Sequence, residues 1–171
     1  GKAPLCGGDP WENNGVNNFY GIYMMAGFSS NYIRNNTICN IHQSSSAAGE
    51  FYGIMVDDSW VMVSGNTIGH NDTSKTVRNA GTYTAIDGIR IQYPTSTCII
   101  DQNKVINLIF TASSGESSAT GIFAENCHVR NNRIMGLGSC LSAAFTPMIY
   151  GIYLNWSNAS RNEVFNNSVI L

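Results

Sequence analysis

Residues 88–105 read GIRIQYPTSTCIIDQNKV and contain both phrases of the repeat that decides the fold. The first phrase is a glycine followed by isoleucine, and it begins at Gly21, Gly53, Gly88, Gly121 and Gly151. The second phrase places an asparagine between two apolar residues, at residues 33–38, 63–68, 100–105, 129–134 and, more weakly, 159–164. A repeat of about 30 to 35 residues with asparagine at one fixed position is typical of a solenoid.

Apolar and polar residues alternate within both phrases. Ile89 and Ile91 flank Arg90, and Ile100 is followed by Asp101. A period of two predicts strands with one inward and one outward face, and no stretch shows apolar residues at helical spacing. Because such a short unit cannot bury its apolar face alone, it must stack on the next repeat. The sequence therefore predicts an all-β parallel solenoid of about five coils.

The asparagine phrase predicts a ladder at one corner of the solenoid. Stacking in register places equivalent residues about 4.8 Å apart. An asparagine tolerates the left-handed backbone of a tight turn and can pass amide hydrogen bonds along the stack. A single asparagine would indicate only a surface turn, but five at one phase favour a column formed by Asn36, Asn66, Asn103, Asn132 and Asn162.

The composition argues against a nucleic acid partner and against a membrane span. Charged residues make up only 12% of the chain, and the nine lysines and arginines form no basic stripe. We therefore expect no nucleic acid partner. No apolar run reaches the length of a membrane span, so none is predicted. The sequence gives no indication of oligomeric state.

Together the two phrases resemble the right-handed parallel β-helix of the pectate-lyase-like superfamily, over about residues 17–171. The resemblance implies a right-handed coil. It does not imply one activity, because the superfamily includes pectin lyases, polygalacturonases, phage tailspikes and bacterial surface adhesins. The ending Asn166-Asn167-Ser168-Val169 also resembles repetitive bacterial cell-surface proteins. This second resemblance implies a secreted or cell-surface location.

The ends and the loops give further expectations. Residues 1–16 are expected to form an N-terminal extension or partial cap, and residues 17–171 the β-helix. Segments rich in serine, alanine and glycine are predicted to be loops on one edge, either binding loops or tolerated insertions, at residues 42–50, 72–84, 111–118 and 138–148. The apolar ending Val169-Ile170-Leu171 predicts that the chain is a segment of a longer solenoid.

Cysteine spacing predicts a pair of buried thiols. Cys98 and Cys127 each precede a ladder asparagine by five residues, so both should face inward on neighbouring coils. Parallel Cβ vectors favour two stacked thiols over a disulfide. No CxxC motif or Cys/His cluster occurs, and the histidines fall at different phases of the repeat, at His42, His70 and His128. We therefore expect no metal site and no cofactor.

Two outward columns of the glycine strands carry the candidate functional side chains. The column two residues after each glycine holds Tyr23, Met55, Arg90, Phe123 and Tyr153, and the next holds Met25, Asp57, Gln92, Glu125 and Asn155. Aromatic faces beside amides and carboxylates suit sugars, although the rings could equally pack under the loops. The predicted ligand-binding residues are Tyr23, Asp57, Arg90, Gln92, Phe123, Glu125, Tyr153 and Asn155.

Two functions remain open at this stage. The leading hypothesis is an extracellular β-helix segment that acts as a rigid stalk, an adhesin or a glycan-binding surface. The alternative is a polysaccharide lyase or glycoside hydrolase, in which Asp57 and Glu125 form a carboxylate pair and Arg90 neutralises an acidic sugar. The three-aspartate group of polygalacturonases and the calcium-binding acids of the lyases are missing, which favours the first hypothesis.

Overall fold

The computed structural model describes residues 8–112, 115–140, 146–155 and 161–171, without the side chains of residues 26–30 and 139–140. The chain forms a parallel β-solenoid of about four turns, which confirms the predicted class. The sequence predicted about five coils, so the number of turns differs slightly from the prediction; five levels of strands stack along the axis. The described residues contain one helical element, a 3-10 turn at Thr73–Lys75.

The largest sheet bends around a corner and forms two faces of the solenoid. The long strands β2 (Phe19–Arg34) and β5 (Phe51–Ser64) run across both faces. Face 1 carries the glycine phrases and continues with β8 (Ala85–Gln92), β12 (Ser118–Glu125) and β16 (Met148–Asn155). Face 2 continues with β9 (Cys98–Asp101), β13 (Cys127–Arg130) and β17 (Glu163–Phe165).

Two further parallel sheets close the cross-section. Face 3 follows the asparagine corner and contains β3 (Thr37–Ile38), β6 (Thr67–Gly69), β10 (Lys104–Ile106), β14 (Arg133–Met135) and β18 (Ser168–Ile170). Face 4 contains β1 (Trp11–Asn13), β4 (Ile41–Gln43), β7 (Val77–Asn79), β11 (Leu108–Phe110) and β15 (Ser139–Cys140). All neighbouring strands in these sheets are parallel.

Face 4 corrects the predicted loops. Parts of residues 42–50, 72–84 and 138–148 form strands β4, β7 and β15, whose backbone groups pair with the levels above and below. Strand β1, within the predicted extension at residues 1–16, pairs with β4. These strands have two or three residues each, too few to show a period of two. Residues 1–7, 113–114 and 141–145 of the predicted extension and loops lie outside the described residues.

The core confirms the predicted inward register. The side chains without any exposed surface include Ile54, Val56, Ile89, Ile91, Ile122 and Ala124. Burial decreases at the last level, where Leu154 is 43% exposed. Cys98 pairs with Cys127 across β9 and β13, and both are buried free thiols, as predicted. Cys39 is disulfide-bonded.

Close packing explains the glycine at the start of each phrase. A Cβ atom on Gly88 would lie 2.6 Å from the carbonyl oxygen of Gly121 and 2.6 Å from a methyl group of Val105. Gly88 and Ile89 are consecutive and both buried, so the alternation of inward and outward residues along the strand breaks at this point. As a result, the residue before the glycine and the residue two after it both lie on the outer side of face 1.

The asparagine ladder is present, with one changed member. Each side-chain amide donates to the side-chain oxygen of the next level across 3.0 Å. Each ladder backbone amide donates to that same oxygen across 2.9 Å. At each corner, the residue with a left-handed backbone (positive φ) directly precedes the ladder asparagine. These five residues are Asn35, Gly65, Gln102, Asn131 and Asn166. The ladder itself runs through Asn36, Asn66, Asn103, Asn132 and Asn167.

The assignment of Asn162 to this ladder is therefore wrong. Val129 pairs with Val164, so the fifth asparagine phrase is residues 164–169 and not 159–164. Asn162 instead accepts a hydrogen bond from the backbone amide of Cys127 across 2.9 Å. Residues 159–164 and residues 164–169 both contain an asparagine at the spacing of the repeat. The pairing of β17 with β13 shows that residues 164–169 form the fifth phrase. Residues 159–160 of the predicted phrase lie outside the described residues.

Candidate functional site

The outer side of face 1 brings two columns of side chains into register. The first is the predicted column two residues after each glycine, which aligns as Tyr23, Met55, Arg90, Phe123 and Tyr153 on successive levels. The second column was not predicted from the sequence and consists of the residues before each glycine: Tyr20, Tyr52, Asp87, Thr120 and Tyr150. Strict alternation would have placed this second column inward. The break at each glycine was the signal that could have revealed it.

An open cleft of about 240 Å³ lies between these columns on the last three levels. Three of its residues, Arg90, Phe123 and Tyr153, were predicted from the sequence as site residues. The complete lining is Ala85, Asp87, Arg90, Ser118, Thr120, Phe123, Met148, Tyr150 and Tyr153. We call this the aromatic cleft. It combines hydroxyl groups, aromatic rings and one ion pair.

An ion pair between a partly exposed arginine and a buried aspartate lies in the aromatic cleft. Nη1 of Arg90 donates to Oδ2 of Asp87 across 2.8 Å, and the Asp87 side chain is only 2% exposed. Nε of Arg90 donates to Oε1 of Gln92 across 2.9 Å. Burial raises the pKa of the Asp87 carboxyl, while Arg90 and the Thr120 hydroxyl oppose the rise. The guanidinium is thus held in place by partners on its own strand.

Aromatic rings continue the line of Arg90 towards the last level. The guanidinium carbon of Arg90 lies 4.1 Å from the centre of the Phe123 ring. Phe123 in turn stacks on Tyr153, with ring centres 5.3 Å apart, and Tyr150 meets Tyr153 edge-on at 5.3 Å. Both faces of Phe123 are therefore occupied. The ring surface open to a ligand belongs to Tyr153 and Tyr150, which are 40% and 36% exposed.

A second, acidic cleft of about 350 Å³ adjoins the first. The two clefts share the lining residues Ala85, Ser118 and Met148. The acidic cleft adds the carboxylates of Glu50 and Glu116, with Tyr83, Thr84 and Ser117. Glu50 accepts a hydrogen bond from the Tyr52 hydroxyl across 2.5 Å. The pKa of Tyr52 is raised by burial and then by this hydrogen bond, so its phenol stays protonated.

Tyr23 belongs to a separate aromatic group on the first two levels. Its ring centre lies 5.2 Å from that of Tyr20, which stacks on Tyr52 at the same distance. Arg90 lies 5.8 Å from the centre of the Tyr52 ring. The guanidinium therefore stands between the first aromatic group and the Phe123–Tyr153 stack, and face 1 carries aromatic side chains along most of its length.

The remaining predicted residues lie away from the aromatic cleft. Asp57 is half-buried and does not line either cleft. Glu125 was expected on the open surface, but it is only 5% exposed because its carboxylate accepts a hydrogen bond from the Tyr93 amide across 3.1 Å. Asn155 pairs with Glu125 in register, and its carbonyl oxygen accepts from the Asn162 side chain across 3.1 Å. Asp57 on β5 and Glu125 on β12 lie two levels apart, with β8 between them.

Among the described residues, no group of three histidine, cysteine, aspartate or glutamate side chains is arranged to hold a metal ion. His42 and His128 each lie 3.5 Å from a glutamate on the adjacent level, Glu12 and Glu163 respectively. Within the part of the chain that the structure describes, no helix is long and apolar enough to cross a membrane.

Comparisons with protein-family models, curated proteins and solved structures found no match to this chain.

Proposed function

We propose that the chain is an extracellular β-solenoid segment whose face 1 binds a glycan. The observation that carries the proposal is the aromatic cleft, in which the Asp87–Arg90 pair lies beside the exposed rings of Tyr150 and Tyr153. A tyrosine ring offers a flat apolar surface to the CH face of a sugar. A carboxylate accepts hydrogen bonds from hydroxyl groups, and a guanidinium donates them.

The spacing of these groups supports a ligand longer than one sugar. Asp87 and Tyr150 lie in one column, two levels apart, or about 10 Å by strand spacing. The rigid stacking of β8, β12 and β16 fixes this distance without any ligand. A site that is formed in advance loses little conformational entropy on binding.

The disulfide at Cys39 supports the extracellular location. Disulfides persist in oxidising compartments and are rare in the cytosol. The proposal as a stalk or adhesin rests on the same features, since a rigid solenoid can hold a binding face away from a surface.

The test is a glycan array probed with the unmodified protein and two variants. Tyr153→Ala should weaken binding at least tenfold, equivalent to about 1.4 kcal/mol, because it removes the most exposed ring of the cleft. Tyr32→Ala is the matched control, because Tyr32 is 54% exposed on face 2. Equal losses in both variants, or no bound glycan, would contradict the proposal.

A second candidate, a polysaccharide lyase or glycoside hydrolase, is favoured by one observation. Asp87 is a buried carboxyl with a raised pKa beside an arginine in a cleft, an arrangement that is common at catalytic sites. Incubation with a bound glycan should then generate new chain ends, and Asp87→Asn should abolish them. Asp57→Asn, outside the cleft, is the matched control. Stable glycan chain length would leave binding as the function.

A further inference from the structure

We infer that the groove formed by the aromatic and acidic clefts takes uncharged sugars and discriminates against acidic ones. The inference rests on the proposed function and specifies the class of glycan. It differs from the expectation that Arg90 would neutralise an acidic sugar. The reason lies in the partners of Arg90 and in the charges around it.

Arg90 is already neutralised by the protein. Its Nη1 lies 2.8 Å from the Asp87 carboxylate, and its Nε is used by Gln92. One face of the guanidinium lies on the Phe123 ring. A ligand carboxylate would therefore approach an arginine whose charge is already cancelled by Asp87, and it would gain little from this contact.

The rest of the groove is acidic. Charged side chains lining the two clefts are Asp87, Glu50 and Glu116, opposed by Arg90 alone. Glu50 accepts hydrogen bonds from Tyr52 and from the Asn18 side chain, so its carboxylate is fixed in place. Glu116 is exposed at the edge of the acidic cleft. Each additional carboxylate on a ligand would therefore be repelled.

The polar groups that remain suit hydroxyls. Ser118 lines both clefts and can donate or accept, whereas the Thr120 hydroxyl in the aromatic cleft already donates to Asp87 and keeps only its acceptor sites. Asp87 accepts from Arg90 and from the Thr120 hydroxyl, and an ionised carboxylate offers about four lone-pair sites, so about two acceptor sites remain. Vicinal hydroxyls of a neutral sugar can use these acceptors and donors without bringing a charge into the groove.

The experiment compares oligosaccharides that differ only in charge. Gluco-, manno- and galacto-configured oligosaccharides are each measured by calorimetry beside their uronate counterpart, which carries a carboxylate at C6, and their 2-amino counterpart. In the series that binds, the neutral form should bind at least tenfold more tightly than the uronate. High salt should reduce that ratio, because it screens the repulsion.

The Glu116→Gln variant gives a second measurement. Because Glu116 is exposed, this substitution does not disturb the packing of the hydrophobic core. Removing this exposed carboxylate should improve uronate binding severalfold and lower the ratio of neutral to uronate affinity, because it removes one repelling charge. Tighter binding of the uronate than of the neutral form or the amino form would overturn the inference and leave the proposed function intact. Failure of every series to bind would contradict the proposed function and this inference with it.

Discussion

Arg90 donates to Asp87 across 2.8 Å from a position three residues further along the same strand. In a regular strand, residues three apart lie on opposite faces and could not form this pair. The pair exists because the alternation breaks at Gly88, where the strand is too closely packed for a Cβ atom. The repeat that forms the solenoid thus also creates the ion pair in its cleft.

The first prediction concerns the acidity of Asp87. Burial raises its pKa and Arg90 opposes that rise, so Arg90→Met should raise the pKa further. Because the folded Asp87 binds its proton more tightly than the unfolded chain does, this group lowers stability as the pH rises from 3.8 through the folded pKa. Asp87→Asn should remove that part of the pH dependence.

An NMR titration of the Asp87 carboxyl carbon measures this pKa directly. Arg130→Met is the matched control, because Arg130 pairs with Asp101 on face 2 at 3.4 Å. It should leave the Asp87 titration unchanged. An Asp87 pKa below 3.8, or one that does not respond to Arg90→Met, would show that this account of the ion pair is wrong.

The second prediction concerns the core. Ile122 is fully buried between levels, so Ile122→Ala should lower the free energy of unfolding by roughly 2–5 kcal/mol. Leu154→Ala should cost clearly less, because this side chain occupies a comparable inward position but is 43% exposed. Denaturant unfolding of both variants gives the comparison. A cost below about 0.5 kcal/mol for Ile122→Ala would contradict the inward register.

The third prediction concerns the asparagine ladder. Asn103 is 1% exposed, and its oxygen accepts from both the backbone and the side-chain amide of Asn66. Asn103→Ala should cost roughly 2–4 kcal/mol, because each buried polar group left without a partner costs about 1–3 kcal/mol. Asn36→Ala, at the first level and only half-buried, should cost about 1 kcal/mol or less. Similar costs for the two variants would argue against a cooperative ladder.

The fourth prediction concerns the paired thiols. Burial raises the pKa of Cys127, whose thiol donates to the Glu125 carbonyl oxygen across 3.1 Å. The hydrogen bond with Cys127 lowers the pKa of Cys98, but neither cysteine has exposed surface. Alkylating reagents attack accessible thiolates, so both should remain unmodified in the folded protein and react only after denaturation. Peptide mapping by mass spectrometry distinguishes these two from the other cysteines. A Cys98–Cys127 disulfide or rapid labelling in the native state would contradict the burial of this pair.

Much of the fold could be predicted because the same two phrases recur in every repeat of the sequence. Gly88-Ile89 and its four equivalents fixed the inward register, and Cys98 and Cys127 fell on adjacent levels as expected. Face 4 could not be predicted, because strands such as Val77–Asn79 are too short to show a period and owe their conformation to pairing. The choice of Asn167 over Asn162 likewise depends on contacts with β13 and β14.

The site was only partly predictable for a similar reason. The column of Arg90, Phe123 and Tyr153 followed from strand alternation. Asp87 was missed because alternation fails at the glycine that follows it. The alternation of its strand places Glu125 on the outward side. Its carboxylate nevertheless accepts a hydrogen bond from the Tyr93 amide, which belongs to another level of the solenoid. The pattern of a single strand cannot predict such a contact between levels.

The most direct test of the central claim is the location of the bound glycan. The glycan that binds most tightly is titrated into protein with labelled aromatic side chains, and NMR shifts are followed for each ring. The account predicts saturable shifts at Tyr150, Tyr153 and Phe123, with little change at Tyr32 on face 2. Shifts confined to Tyr32, or spread evenly over all rings, would contradict a glycan site on face 1.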